Sequence, residues 1–192
     1  AVGLSLESPT IKCAHTSTRK CPGGSGNVVM NLVALQCDVG YMTVCSDISV
    51  YNALSEKAKV HSILSKKRTS SKQRYYVERN HIQHKHLQMN YTDADELSGD
   101  AEKHVIAQLT NILPQYECVI LSDYRCGVLS KKITAHIINV CKKLSIPCIA
   151  NTQLSDWGNK TTLQISKFGS CDLIVLNEEE AKAWSSTFLW SK

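Results

Sequence analysis

Apolar and polar positions alternate along this chain in two different patterns. From about residue 93 onward, short apolar runs are separated by longer stretches whose apolar residues recur at helical spacing. This pattern predicts parallel β-α-β units, because strands buried on both faces are continuously apolar while the connecting helices are apolar on one face. The predicted elements are a helix over 93–112 capped by Asp93, a strand over 118–121, a helix capped by Ser130, strands over 147–150 and 173–176, and a helix beginning at Glu178.

The first half of the chain is less regular. Apolar residues in 27–36 predict a helix, and the following residues predict a short strand over 39–45 and a short helix over 50–58. Two polar segments, 72–79 and 84–91, have the composition of strands but are too polar for a central sheet. We therefore expect them on an edge or in a small accessory sheet.

Composition narrows the class of protein. The chain has 192 residues, 43% of them hydrophobic and 20% charged, which is typical of one folded domain or most of one. No apolar run approaches the ~20 residues of a membrane span, so no membrane partner is expected. The nine cysteines contain no CxxC pair. This spacing favours reduced thiols in a cytoplasmic protein over a disulfide framework or a zinc site.

The net charge of +5 is concentrated in one stretch. The basic residues there are Lys66, Lys67, Arg68, Lys72, Arg74, Arg79 and Lys85. A solvated face and a pocket for an anionic metabolite both explain this stretch. Nucleic-acid binding is a third and less favoured interpretation, because the adjacent Tyr75 and Tyr76 point to opposite faces of a strand.

The segment 21–27, with sequence CPGGSGN, leads directly into the first predicted helix. Glycines let the backbone approach a ligand closely, and the N-terminus of a helix presents amide groups and the positive end of its dipole. Asn27 adds a side chain that can both donate and accept a hydrogen bond. The loop therefore suits a hydroxylated or anionic small molecule, and the alternative is a tight turn before a core helix.

Polar residues follow the predicted parallel strands, where ligands bind in sheets of this class. These residues are Asp123, Asn151 and Asn177. Asp123 has the alternative role of capping the next turn, and 178–180 has that of acidic residues favoured in the first turn of a helix. His81, His84 and His86 lie along one predicted strand, and His84 and His86 share a face. No carboxylate or thiolate partner stands at fixed spacing, so no metal site is expected there.

Three motifs together resemble the ribokinase-like (PfkB) carbohydrate kinases: PGGSGN before a helix, SDYRCG after a strand, and NEEE before the last helix. Within that family the chain is most similar to the kinase domain of bifunctional heptose 7-phosphate kinase/adenylyltransferases. The resemblance implies an α/β fold with a mostly parallel sheet flanked by helices and a small β lid. Residues 1–192 would form one partial domain that is incomplete at both ends, with the lid at about 66–91 and the core at 20–58 and 93–192.

The resemblance also implies roles for individual residues. The sugar would be bound by Gly23, Gly24, Asn27, Lys72, Arg79 and Asp123. The nucleotide and magnesium would be bound by Asn151, Asn177 and Glu180, with Glu180 reaching the metal through water. The expected cofactors are ATP and Mg²⁺, the expected partner is a sugar phosphate, and a homodimer through the lid strands is a further expectation.

The sequence also departs from the family. A glycine-rich GAGD loop, whose Asp would be the general base, occurs nowhere in these residues, so the base is expected beyond Lys192. Asn151, Gln153 and Cys126 stand where the family often has Asp, Lys and Lys. The leading hypothesis is an ATP-dependent kinase of heptose 7-phosphate that is inactive as this fragment. The alternative is a non-catalytic, diverged relative that binds a sugar phosphate or nucleotide.

Overall fold

The computed structural model describes residues 3–4, 7, 10–79, 82–153 and 165–189. Contacts between residues divide the chain into a smaller unit, 1–21 with 70–92, and a larger unit, 22–69 with 93–192. The strands are β1 (Gly3–Leu4), β2 (Ile11–Lys12), β3 (Gly40–Cys45), β4 (Lys59–Leu64), β5 (Ser71–Arg79), β6 (Ile82–Tyr91), β7 (Val119–Asp123), β8 (Cys148–Thr152) and β9 (Leu173–Val175). The α-helices are α1 (Ser25–Ala34), α2 (Asn52–Ser55), α3 (Gly99–Ile112), α4 (Lys131–Leu144) and α5 (Glu178–Leu189), and 3₁₀ helices cover Ile48–Tyr51, Leu113–Gln115 and Ile165–Phe168.

In the described part of the smaller unit there are two antiparallel strand pairs. β1 pairs with β2, and the long strands β5 and β6 form a hairpin that places Tyr75 opposite Leu87. A shift of register follows Tyr75. The hairpin confirms the predicted accessory strands outside the central sheet, while His81 lies outside the described residues.

The parallel strands of the larger unit form two sheets. One pairs β3 with β4, and the other has the order β7-β8-β9, so the predicted parallel arrangement is confirmed. Helices α3 and α4 pack together and bury the apolar stripes that their sequences predict, because each helix carries apolar residues on one face only. The shared core contains Val44, Ile63, Leu97, Val105, Leu109, Leu113, Leu121, Ile133, Ile137, Ile138, Cys141, Cys148, Ala150 and Phe168.

Strand β4 is absent from the sequence-based prediction. Its sequence, KVHSIL, mixes polar and apolar residues, and only Ile63 is fully buried. Hydrogen bonds to β3 stabilise this strand, and its own sequence pattern does not predict that pairing. The helix predicted over 50–58 is correspondingly shorter and covers only Asn52–Ser55 after a 3₁₀ turn.

Of the two predicted helix caps, one is confirmed and the other is wrong. The Ser130 cap is confirmed, because its hydroxyl accepts a hydrogen bond from the amide of Ile133 at 3.2 Å. The Asp93 cap is wrong, because α3 begins at Gly99. The carboxylate of Asp93 instead binds the ammonium of Lys67 at 2.8 Å, and this ion pair holds the pKa of Asp93 below its usual value.

Candidate functional site

The glycine loop lies directly before α1, as the sequence predicts. Gly24 adopts φ 52° and ψ −128°, a conformation that is open to glycine and strained for any residue with a side chain. Its carbonyl oxygen accepts a hydrogen bond from the amide of Asn27 at 3.1 Å. The side chain of Asn27 is exposed, and no atom lies within 4 Å of the position that a Cβ on Gly23 would take. The loop therefore leaves room for a ligand beside Gly23 and Asn27.

Tyr124 packs against this loop from the end of β7. A Cβ placed on Gly24 would lie 3.3 Å from Cγ of the Tyr124 ring. The backbone angles of Gly24 therefore favour glycine, and a side chain at this position would also force the Tyr124 ring to move by a few tenths of an ångström. This contact brings the glycine loop together with the carboxyl end of β7.

Asp123 ends β7 and is almost completely buried. Its Oδ1 accepts a hydrogen bond from the amide of Arg125 at 2.9 Å, so the carboxylate caps the turn that follows the strand. Its Oδ2 lies 2.8 Å from the Lys167 ammonium and 3.3 Å from the hydroxyl of Thr152. Asp123 thus anchors the loop after β7 and holds a buried positive charge at the edge of the sheet.

Asn151 lies near the end of β8, in the middle of the three-stranded sheet. It is paired in register with Ser122 on one side and with Val175 on the other. Its side-chain amide donates a hydrogen bond to the carbonyl oxygen of Val175 at 3.1 Å. Because β7, β8 and β9 are parallel, the residues at their carboxyl ends share one edge, as the sequence predicts.

Asn177 and Glu180 form a capping box at the start of α5. The Asn177 side chain accepts a hydrogen bond from the Glu180 amide at 2.9 Å, and Glu180 Oε2 accepts one from the Asn177 amide at 2.8 Å. Glu180 is buried, with 4% of its surface exposed, while Asn177 is exposed. The NxxE motif thus has a structural role in this chain, whatever it also binds.

The two predicted lid residues lie on β5 in the smaller unit. Lys72 pairs in register with Asn90, and its side chain is exposed. Arg79 is the last residue of β5, and its side chain lies outside the described residues.

Metal sites differ in how many ligands the protein itself must supply. Within the described ranges, no group of three or more histidine, cysteine or acidic side chains is arranged to hold a metal ion. A cage built only from protein ligands therefore does not fit these residues. A magnesium ion that keeps several waters and is held chiefly by nucleotide phosphates needs only one carboxylate. Glu180 supplies one at the start of α5, where it is buried and its Oε2 accepts the bond from the Asn177 amide.

Lys167 is a site residue that the sequence analysis does not predict. Its ammonium joins the Asp123 carboxylate to the carbonyl oxygen of Leu129, at 2.8 Å and 2.7 Å, and its side chain is 7% exposed. The sequence around it, ISKF, follows no motif and no periodic pattern. Lysines are mostly exposed in proteins, and the sequence does not distinguish the buried Lys167 from the exposed lysines.

The fold of this chain is similar to the folds of two solved proteins of the ribokinase-like class. A protein described as a possible 1-phosphofructokinase from Thermotoga maritima superposes with a TM-score of 0.57 at 12% identity, over 79% of this chain and 48% of that one. Phosphofructokinase-2 from Escherichia coli, in its tetrameric inhibited form, superposes with a TM-score of 0.55 at 18% identity, over 76% of this chain and 48% of that one. At these identities the likeness shows the fold alone.

Two relatives with similar sequences are both named Bifunctional protein HldE. The chain is 29% identical over 167 residues to the Bifunctional protein HldE of Aliarcobacter butzleri, a match covering 83% of this chain and 33% of the relative. It is 30% identical over 185 residues to HldE of Campylobacter curvus, covering 93% of this chain and 36% of the relative. The chain therefore spans about a third of the length of these relatives. No protein-family model matches it.

These comparisons confirm the two resemblances predicted from the sequence. The fold is ribokinase-like, with parallel sheets and flanking helices, and over most of its length the chain is similar to HldE proteins.

None of the helices in the described part of the chain combines the length and the apolar character needed to cross a bilayer.

Proposed function

We propose that this chain forms the sugar-binding side and part of the nucleotide-binding side of an ATP-dependent sugar kinase of the PfkB type. One observation carries the proposal: the contact between Gly24 and the Tyr124 ring joins the glycine loop to the edge where β7 ends. That edge also contains the ends of β8 and β9, and ligands of α/β sheets bind at such edges. The similarity to HldE proteins supports the same class of activity.

The proposed substrate is D-glycero-D-manno-heptose 7-phosphate, a sugar phosphate of ADP-heptose and lipopolysaccharide precursor synthesis. Gly23 and Gly24 would border the sugar, and the exposed amide of Asn27 would hydrogen-bond its hydroxyl groups. Lys72, and Arg79 on the same strand, would approach the sugar or its phosphate. Asp123 would contribute mainly by fixing the loop after β7, because its carboxylate already binds Arg125 and Lys167.

The proposed nucleotide side lies at the ends of β8 and β9. Asn151, Asn177 and Glu180 would hold the phosphates of ATP and, through water, a Mg²⁺ ion. The metal would supply charge neutralisation on the phosphates during phosphoryl transfer. The capping box fixes the Glu180 side chain at the start of α5, so the carboxylate is held in place before any ligand binds. This chain's own contribution would therefore be positioning.

We propose that none of the described acidic side chains acts as the general base of the reaction. No GAGD loop occurs in the sequence, and the buried Asp123 is paired with Lys167. We therefore propose that this chain alone binds its ligands but transfers little or no phosphate. Its proposed location is the cytoplasm, where sugar phosphates and ATP are available.

Calorimetric titration with heptose 7-phosphate tests the sugar site. We expect binding to wild-type protein and roughly tenfold weaker binding to Asn27→Ala, because a hydrogen-bonding group at the sugar is lost. Asn31→Ala is the matched control, since Asn31 is an exposed asparagine one helical turn further along α1. No binding by wild type, or equal binding by Asn27→Ala, contradicts the assignment.

A non-catalytic relative is the second candidate function. It is favoured by three positions that differ from the family, namely Cys126, Asn151 and Gln153. The coding sequence downstream of Lys192 separates the two candidates. Continuation into a glycine-rich GAGD loop supports the kinase, whereas a natural stop supports a binding module.

We also propose that two copies associate through the hairpin. One face of β5 and β6 carries Tyr75, Leu87 and Met89, which are 49%, 53% and 39% exposed. An exposed apolar sheet face of this kind is stabilised when a second surface covers it.

A further inference from the structure

We propose that Lys167 is a positioning residue: it clamps the loop 124–129 at both ends and so holds the Tyr124 ring against Gly24, which shapes the sugar-binding loop. This inference rests on the proposed function, because there the glycine loop is the sugar site. It adds a residue that no motif of the sequence indicates, from a segment distant from the glycine loop in the chain.

The clamp consists of two short bonds from one ammonium group. Lys167 Nζ lies 2.8 Å from Oδ2 of Asp123, directly before the loop, and 2.7 Å from the carbonyl oxygen of Leu129, at its end. Both members of the ion pair are buried, with 7% and 4% of their side chains exposed. Buried pairs of this kind are held in one geometry, since moving either charge leaves the other without compensation.

The loop between these two anchors has little freedom of its own. Asp123 Oδ1 accepts a bond from the Arg125 amide at 2.9 Å, and the carbonyl oxygen of Gly127 accepts one from the Leu97 amide at 2.8 Å. Gly127 has φ +70°, and a Cβ there would overlap the backbone of Asp95. The loop is therefore held at its start, its middle and its end, and Lys167 supplies bonds at two of these places.

Tyr124 transmits this constraint to the sugar-binding loop. It is the first residue after Asp123, and its ring packs directly on Gly24. Gly24 in turn precedes α1, and its carbonyl oxygen accepts a hydrogen bond from the backbone amide of Asn27. A shift of the 124–129 loop would move the ring, and the ring would release or displace the backbone of Gly24.

Amide NMR spectra of the full chain test the coupling without any ligand. We expect Lys167→Met to shift the amide resonance of Gly24, and Tyr124→Leu to shift the same resonance with the clamp intact. Lys143→Met is the control, because Lys143 is exposed on α4. If Lys167→Met alone fails to fold, the double variant with Asp123→Asn removes the unpaired buried charge and keeps the measurement possible.

A Gly24 resonance that stays in place, while the resonances of Arg125 and Leu129 move, overturns the proposal. That result would confine the effect of Lys167 to its own loop.

Calorimetry with heptose 7-phosphate supplies the functional readout. We expect Lys167→Met to bind on the order of tenfold more weakly or worse, since small displacements of a binding loop are costly. Lys167→Arg should keep most of the affinity, because a guanidinium can donate to both oxygens. Equal binding by Lys167→Met and wild type overturns the proposal. If wild type does not bind, the proposed function fails, and the NMR experiment still decides whether Lys167 controls the loop.

Discussion

Gly23 and Gly24 are neighbours in the loop before α1, yet the structure requires glycine at only one of them. Gly24 combines a positive φ of 52° with the close approach of the Tyr124 ring. Gly23 has no positive φ, and no atom lies within 4 Å of the place that its Cβ would occupy. The two glycines look equivalent in the sequence, but a side chain would lower the free energy of unfolding much more at Gly24 than at Gly23.

Substitution by alanine at each glycine tests this difference. We expect Gly24→Ala to lower the free energy of unfolding by about 1–3 kcal/mol, because a strained backbone conformation and a tight ring contact act together. Gly23→Ala should change it by less than ~1 kcal/mol, since the native conformation accepts a side chain. Urea unfolding followed by circular dichroism measures both. Equal effects of the two substitutions would contradict the structural assignment.

Asn177 and Glu180 of the NxxE motif have both a structural and a functional interpretation. Asn177 and Glu180 satisfy each other's backbone amides, which stabilises the first turn of α5. The same side chains are the ones that the family resemblance connects with nucleotide phosphates and magnesium. A substitution there must therefore be measured for stability before any loss of binding is interpreted.

We expect Asn177→Ala to lower the free energy of unfolding by ~1 kcal/mol, the usual effect of removing a helix cap. Glu180→Gln should have a smaller effect, because the amide oxygen still accepts the bond from the Asn177 amide. Glu179→Gln is the control, since the Glu179 side chain is exposed and outside the capping box. Thermal unfolding measures all three, and an Asn177→Ala protein as stable as the control would refute the cap.

At the scale of elements, Lys67 links the segment after β4 to the segment before α3. Its ammonium binds the carboxylate of Asp93 at 2.8 Å and the carbonyl oxygens of Asp93 and Asp95 at 3.1 Å and 2.6 Å. The Lys67 side chain is 8% exposed. These bonds close the larger unit at the place where residues 70–92 leave it and return to it.

This ion pair predicts a dependence of stability on pH. The hydrogen bond from Lys67 lowers the pKa of Asp93 in the folded state below the usual ~3.9. The folded protein then binds fewer protons than the unfolded chain at acidic pH, so this contribution is complete above about pH 4 and is lost as the pH falls through the folded-state pKa.

Asp93→Asn should therefore be less stable than wild type at pH 7, and the difference should shrink toward pH 3. Asp100→Asn is the matched control, because the Asp100 side chain is 98% exposed and its pair with Lys103 lies at the surface. Urea unfolding at a series of pH values measures the difference. A difference between Asp93→Asn and wild type that does not vary with pH would contradict the assignment.

At the scale of the whole molecule, the hairpin of β5 and β6 has two unlike faces. The register puts Tyr75 opposite Leu87 and Gln73 opposite Met89, so the three apolar side chains lie on one face. Tyr76 lies on the other face, opposite Lys85. Both tyrosines are about half exposed, at 49% and 53%, which makes them a matched pair.

We expect the protein to sediment as a dimer at micromolar concentration and Leu87→Lys to shift it toward monomer, because a charge would be placed in the apolar face. Tyr75→Ser should weaken the dimer as well, whereas Tyr76→Ser should leave it unchanged. Analytical ultracentrifugation measures the association. A wild-type protein that remains monomeric, or equal effects of the two tyrosine substitutions, would count against the interface.

Most of the larger unit could be predicted from the chain, and the failures have identifiable causes. The strands that end at Asp123 and Thr152 and the helix capped by Ser130 have strong patterns, because buried strands and amphipathic helices repeat their apolar residues regularly. The sequence does not predict strand β4, because its mixed pattern is stabilised only by pairing with β3. It predicts a cap at Asp93 because an acidic residue before a helical pattern is a common start signal, while Lys67, the actual partner, is distant in sequence.

The sequence by itself determined the class of fold, the position of the glycine loop before α1 and the polar residues at the strand ends. These features depend on local periodicity and on short motifs, which neighbouring residues specify. The tertiary structure alone decided that Tyr124 packs on Gly24 and that Asp123 pairs with Lys167. Each of these depends on which side chains meet in space, and residues separated by many positions meet only after the sheets and helices have packed.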